Sequence, residues 1–217
     1  MVLLNIVYRF QALQFISLSM NLLGHARLSF GKPDILVGNM ISDYVKGKKQ
    51  YDYPPGIFAG IRLHREIDLF TDTHEAIKAI AAYFKPDYRL YAYAITDVVL
   101  DYFLANDTNE FQNEKMLFDF SQKVYSDLES KSNYFPIIFQ QMFPYMQQQN
   151  WLYNYRTMEG IERSMQGLKR RAAHIHEMET AYSVFKNNTE KIRELYQQFF
   201  PEVKKFAADN LQALLNR

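Results

Sequence analysis

Residues 88–105 read Tyr88-Arg-Leu-Tyr-Ala-Tyr-Ala-Ile-Thr-Asp97-Val-Val-Leu-Asp101-Tyr-Phe-Leu-Ala105, and this stretch decides the fold. At helical spacing Leu90, Ala94, Asp97, Asp101 and Leu104 fall on one line. Ile95, Val98 and Tyr102 flank that line on one side, and Tyr93, Leu100 and Phe103 on the other. A helix that is apolar nearly all round belongs in the interior, so two aspartates a turn apart are buried with it. Burying carboxylates without compensation costs several kcal/mol each, and two so close also repel. They need a cation, which is either a buried arginine (Arg27, Arg62 and Arg65 are the candidates) or a divalent metal.

The same periodicity extends outward along the chain. Helices are expected from Pro33 to about Lys46 and from Pro55 to about Phe70. The next starts at Asp72 and runs to about Phe84, with Asp72 as an acidic N-cap at capping-box spacing from Glu75 and His74 as a first-turn surface residue. Lys85-Pro86-Asp87 reads as a break, and the helix over about 88–105 follows it. Further helices are expected at about 111–130, 134–149 (interrupted by Pro144), 157–170, 174–199 and 201–216. Eight Gly and seven Pro in 217 residues leave too few turns for a many-stranded sandwich or barrel. The fold class is all-α, with one helical domain over 20–217. Residues 1–19 are apolar but broken by Arg9, Gln11 and Gln14, and read as an N-terminal extension with Met20 as a second plausible start. The aromatic residues of the second half read as packing between helices.

Other polar residues interrupt apolar helical stripes. Ile57, Ile61, His64 and Asp68 share a face, so an imidazole and a carboxylate stand one turn apart and can meet on one ion. A plain His–Asp hydrogen bond, or an Asp–Arg pair with Arg62 or Arg65, is the alternative. Asp43 lies in Ile35-Leu-Val-Gly-Asn-Met-Ile-Ser-Asp-Tyr-Val, a run with very little other charge, and His25 lies in the apolar run Asn21-Leu-Leu-Gly-His. A histidine there is otherwise a satisfied core residue. The chain has no Cys, which excludes disulfides, thiolate metal sites and cysteine nucleophiles. A His/Asp set without thiolate suits Mn²⁺, Mg²⁺ or Fe better than structural zinc, and such ions polarise phosphoryl groups and supply hydroxide at neutral pH. No phosphate loop, dinucleotide fingerprint or Gly-x-Ser-x-Gly elbow is present.

Four runs resemble the acyl carrier protein phosphodiesterase family: Met20-Asn-Leu-Leu-Gly-His25, Gly38-Asn-Met-Ile-Ser-Asp-Tyr44, Gly60-Ile-Arg-Leu-His-Arg-Glu-Ile-Asp-Leu-Phe-Thr-Asp72 and Asp97-Val-Val-Leu-Asp-Tyr-Phe-Leu104. Order and spacing agree from Met20 to about residue 105, and Trp151-Leu-x₃-Arg156 continues the match more weakly. The resemblance implies an all-helical, HD-domain-like core with additional C-terminal helices and dependence on Mn²⁺, with Mg²⁺ or Fe²⁺ as the other candidates. The implied reaction removes the 4′-phosphopantetheine arm from the serine of the carrier protein, giving the apo form. On this reading a subset of His25, His64, Asp68, Asp97 and Asp101 holds the metal. Asp43 is a ligand or the base that orients the water, Arg62 or Arg65 neutralises the phosphoryl charge, and Asp72 joins the catalytic candidates. Tyr102 departs from the pattern: many members carry His at this position.

With 25 Lys+Arg against 24 Asp+Glu, the net charge of +1 gives no general field for nucleic acid or anionic membrane. Nothing is long and apolar enough to span a bilayer, so a cytoplasmic protein is the expectation. Carrier proteins are acidic, which makes Lys46, Lys48 and Lys49, and the run Lys169-Arg-Arg171, candidate docking positions. The competing readings are an HD-like phosphohydrolase acting on nucleotides or another small phosphodiester, and a non-catalytic helical binding module with arginine-paired aspartates.

Overall fold

Two glycines bring the helix over 33–41 into backbone contact with the helix that carries His64 and Asp68. The computed structural model describes residues 22–172 and 174–216; the extension over 1–19 lies outside them. Helix α1 (Leu22–Arg27) is followed by α2 (Pro33–Ile41), 3₁₀ turns at Ser42–Tyr44 and Gly47–Asp52, and the long α3 (Pro55–Thr73). A Cβ on Gly38 of α2 would collide with the Ile57 carbonyl oxygen, and one on Gly60 of α3 with that of Ile35. Only glycine at both positions permits this approach, and the α2–α3 pair is the most extensive helix–helix packing in the fold.

Helices α4 (Glu75–Tyr88) and α5 (Ala92–Ala105) come next, then α6 (Glu114–Glu129), α7 (Ile137–Gln148), α8 (Trp151–Asn154), α9 (Met158–Arg171) and α10 (Glu179–Leu215). No strand occurs among the described residues, and the fold is all-α as expected. Helix α5 is central: Ile95, Val98, Val99, Leu100, Phe103 and Leu104 are all buried. It packs against α1, α4, α9 and α10, while α10 also runs along α3 and α4. Aromatic pairs fill these contacts, as in the stacked Phe103–Tyr196 pair at 5.7 Å between α5 and α10, and others pack around α7, as in the edge-on Phe135–Phe139 pair at 4.7 Å.

Several boundaries differ from the expectation. Helix α2 stops at Ile41, so Asp43 sits on a 3₁₀ turn rather than a helix. Helix α3 continues to Thr73, which places Asp72 inside it. The capping role belongs to His74, whose Nδ1 accepts from the Ala76 N–H at 3.2 Å, while its ring meets Phe199 edge-on. Pro86 lies within α4, whose end is set by Arg89 in the left-handed region (φ 50°). Leu90 then falls on the 3₁₀ turn Arg89–Tyr91 and is 88% exposed, off the buried line of α5. Pro201 does not divide α10 either. A mid-helix proline costs about 3 kcal/mol, but Tyr196, Phe199, Phe200, Val203 and Ala207 continue one buried stripe across it.

Helix α1 is too short to be stable alone and is held by two acids. Asp101 of α5, wholly buried, accepts the Gly24 N–H at 2.9 Å and the Leu23 N–H at 3.1 Å. Glu110, after α5, accepts Arg27 Nε at 2.8 Å and Lys204 Nζ of α10 at 2.6 Å.

Two tests follow from this scaffold. Gly60→Ala should lower stability to urea by about 3 kcal/mol through overpacking. Gly167→Ala, where an added Cβ finds its nearest neighbour at 3.6 Å, should change it by less than about 1 kcal/mol. Asp101→Ala leaves the first N–H groups of α1 without acceptors in the core. It should cost about 2–4 kcal/mol, read from the same denaturation curves.

Candidate functional site

Two helices and a turn deliver a cluster of imidazoles and carboxylates to one point. His25 comes from α1, Asp43 from the Ser42–Tyr44 turn, His64 and Asp68 from successive turns of α3. Asp68 divides its carboxylate between two rings: Oδ1 lies 3.2 Å from His25 Nε2, and Oδ2 lies 3.0 Å from His64 Nε2. Asp43 Oδ1 stands 3.3 Å from the same His64 nitrogen. The two rings stack with centroids 4.0 Å apart and planes inclined by 20°. Both histidines are buried, whereas the Asp68 side chain is 37% exposed, so the cluster reaches solvent through the carboxylate. One ligand atom from each of His25, His64 and Asp68 lies within 4.8 Å of the others.

The electrostatics are those of an acid cluster short of positive charge. Burial opposes a charge on His64, but Asp43 and Asp68 outweigh it and push its pKa up to about 10. Burial also works against ionised Asp68, yet the two histidines hold its carboxyl well below the usual carboxylate range. Asp97 of α5 is half-buried beside the cluster. Desolvation, then the charges of Asp68, Asp101, Asp72 and Asp43, push its carboxyl well above the usual range. Among the described residues no lysine or arginine pairs with Asp43, Asp68 or Asp97.

The structure separates residues that looked alike in sequence. Asp97 faces the cluster, but the oxygens of Asp101 are already engaged by the Leu23 and Gly24 N–H groups, and burial pushes its carboxyl up to about 8 against those donors. Asp101 therefore anchors the helix that carries His25 instead of presenting a free ligand atom. Asp72 is exposed one turn beyond Asp68, whose charge adds to desolvation in raising its carboxyl.

The three candidate arginines lie away from the acids. Arg27 pairs with Glu110. Arg65 donates to Gln50 Oε1 at 2.6 Å and to the Val45 carbonyl at 3.0 Å, which ties the 3₁₀ segment to α3. Arg62, two residues before His64, sits about 160° round α3 from it, and among the described residues it forms no ion pair with Asp43, Asp68 or Asp97. Lys46, Lys48 and Lys49 are exposed on the segment that Arg65 holds, and none is ion-paired with a described residue. Lys169 and Arg170 end α9; the side chain of Arg171 lies outside the described residues. The Tyr102 ring packs edge-on against Phe103 and Phe185 as part of the core.

Sequence reasoning passes over Asn39 and Ser29, which bond directly to His25. Asn39 Oδ1 is 2.8 Å from His25 Nδ1, Asn39 Nδ2 donates to the His25 carbonyl at 2.9 Å, and Ser29 Oγ donates to that carbonyl at 2.8 Å. The signal for Asn39 is the one that marks Asp97: a polar residue inside an otherwise apolar run.

The chain is 30% identical over 188 residues to the acyl carrier protein phosphodiesterase of Yersinia pestis, covering 87% of this chain and 97% of that one. It is 29% identical over 190 residues to the Yersinia enterocolitica protein of the same name (88% and 98%), and 28% over 190 residues to that of Serratia proteamaculans (88% and 98%). No solved structure matches the chain significantly. The acyl carrier protein phosphodiesterase profile matches residues 20–203, a span that contains all of α1 to α9 and every residue of the His–Asp cluster. By that match the chain belongs to the acyl carrier protein phosphodiesterase family.

Proposed function

We propose that this chain is a metal-dependent phosphodiesterase that hydrolyses the 4′-phosphopantetheine arm from the serine of holo acyl carrier protein, giving apo carrier protein. The observation that carries the reading is the span of the family match over the whole His–Asp cluster. The donor set fits a divalent cation: two buried imidazoles and a bridging carboxylate converge within 4.8 Å, with no arginine or lysine among the described residues to neutralise them. His25, His64 and Asp68 would hold the ion, with Asp43 and Asp97 adding negative charge around it. Hard oxygen and imidazole donors without thiolate favour Mn²⁺, with Mg²⁺ or Fe²⁺ as alternatives.

When bound, such an ion supplies Lewis-acid charge for the phosphoryl oxygens and acidifies a water toward neutrality. The protein's own residues do the rest. Asp43, on its 3₁₀ turn at the edge of the cluster, would take a proton from the attacking water and orient it toward phosphorus. As the water oxygen bonds to phosphorus, the P–O bond to the carrier-protein serine breaks, and the serine oxygen takes up a proton from solvent to become the hydroxyl. Lys46, Lys48 and Lys49, on the segment that begins three residues after Asp43, supply the positive surface for an acidic protein substrate. Arg65 takes no part in the chemistry on this reading; it keeps the lysine segment and α3 in fixed relation.

Mass spectrometry of holo carrier protein incubated with enzyme and Mn²⁺ should show loss of the phosphopantetheine mass, and a chelator should stop it. Asp68→Ala should reduce the rate by at least about 10²-fold. An unchanged holo mass alongside turnover of nucleotides would overturn the substrate, and absence of stoichiometric metal from chelator-free protein would overturn the metal. Reversing charge at Lys48 and Lys49 should raise KM for carrier protein about tenfold, roughly the effect of 1.4 kcal/mol, and leave a small phosphodiester unaffected. Equal loss on both substrates would count against docking through these lysines.

A further inference from the structure

Asn39 is fully buried in α2, and the direction of each of its hydrogen bonds is determined. Its Nδ2 faces the His25 carbonyl at 2.9 Å and Ser29 Oγ at 3.1 Å. A carbonyl only accepts, so the amide cannot be reversed without setting two acceptors against each other. Ser29 spends its own hydrogen on the same carbonyl at 2.8 Å, so its oxygen is an acceptor toward Asn39. The remaining amide atom, Oδ1, therefore faces His25 Nδ1 at 2.8 Å and requires a hydrogen there. A neutral imidazole has one such hydrogen, which leaves Nε2 bare, 3.2 Å from Asp68 Oδ1. On a neutral ring Nε2 then meets Asp68 Oδ1 as one acceptor beside another, a pairing that a bound cation would relieve.

We infer that Asn39 is a positioning residue that holds His25 in its Nδ1–H tautomer and aims the bare Nε2 into the cluster. What that lone pair receives rests on the proposed metal; the tautomer does not. The device is a common one for histidine ligands, whose second nitrogen is pinned by a neighbouring acceptor, and loss of that acceptor weakens metal binding by about 10–100-fold. Here the acceptor is a neutral amide, locked from behind by the backbone of the histidine it serves. Ser29 reinforces the lock without touching the ring.

The test reads the tautomer directly. Two-bond ¹⁵N–¹H correlation spectra of the metal-free protein at alkaline pH should show His25 protonated at Nδ1. Asn39→Leu, close in size but without an acceptor, should lose that preference and bind Mn²⁺ about 10–100-fold more weakly by calorimetry. Ser29→Ala leaves the His25 carbonyl as acceptor for Asn39 Nδ2 and should leave both tautomer and Mn²⁺ affinity close to the parent protein. A parent protein with His25 protonated at Nε2 overturns the inference without recourse to any variant, as does a folded Asn39→Leu that binds Mn²⁺ undiminished. Nδ1–H in a parent protein that takes up no Mn²⁺ would uphold Asn39 and overturn the metal reading instead.

Discussion

A single carboxylate shared between two stacked imidazoles is the arrangement on which the first half of the molecule turns. Asp68 offers one oxygen to each ring, and the rings reach it from α1 and α3. Two histidines 4.0 Å apart, with Asp43 and Asp97 close by, form a site where positive and negative charge must be matched locally, because burial leaves little water to screen them. Asp43 and Asp68 accordingly raise the proton affinity of His64 against the cost of its burial. An ensemble of acids that draws in a proton so strongly is one that a divalent cation would satisfy more completely.

Holding those groups within hydrogen-bond distance demands backbone precision, and the demand is met by close approach rather than by bulk. Gly38 and Gly60 allow α2 and α3 to touch, and the residues beside them in sequence are the ones that matter: Asn39 follows Gly38, and His64 stands one turn beyond Gly60. Helix α1, six residues long, has no such area to bury and is fixed by hydrogen bonds and charge through Asp101 and Glu110. Each histidine is thus held by a different physical device, packing for His64 and polar anchoring for His25. Damage to either scaffold reaches the same cluster.

These dependencies explain what the sequence made legible. The helices could be read because a buried face imposes a 3.6-residue period on every segment. Pro86 and Pro201 misled because proline acts on the local backbone, whereas the apolar stripes of α4 and α10 continue past it and outweigh the local cost. Asp72 read as a cap from its spacing to Glu75, yet α3 had an exposed position for it and the ring nitrogen of His74 took the bond. Asp97 and Asp101 carry one signal, a carboxylate in an apolar helix, and their fates differ because α1 docks over one of them. That is a tertiary fact with no trace in local pattern. The partners of Arg27 and Arg65 are tertiary in the same way: Glu110 for one, Gln50 and the Val45 carbonyl for the other.

The near-zero net charge has the same origin. A molecule with 25 basic and 24 acidic residues has no long-range field, but helix-surface pairs such as Lys123–Asp127 and Lys205–Asp209 consume charge of both signs in equal measure. Position adds what the sum hides. Asp43, Asp68 and Asp97 gather at the His–Asp cluster, and Lys46, Lys48 and Lys49, none of them ion-paired with a described residue, lie together on Gly47–Asp52 and the residue before it. Arg65 joins the two, since its guanidinium grips the lysine segment from the helix that carries His64 and Asp68. An anionic protein drawn to the lysines would be brought up beside a cluster whose own charge, without a cation, would repel a phosphodiester. Surface attraction and local repulsion can act in sequence only if the cluster is neutralised by a bound ion, so on the proposed function the charge pattern of the surface and the metal in the site are parts of one requirement.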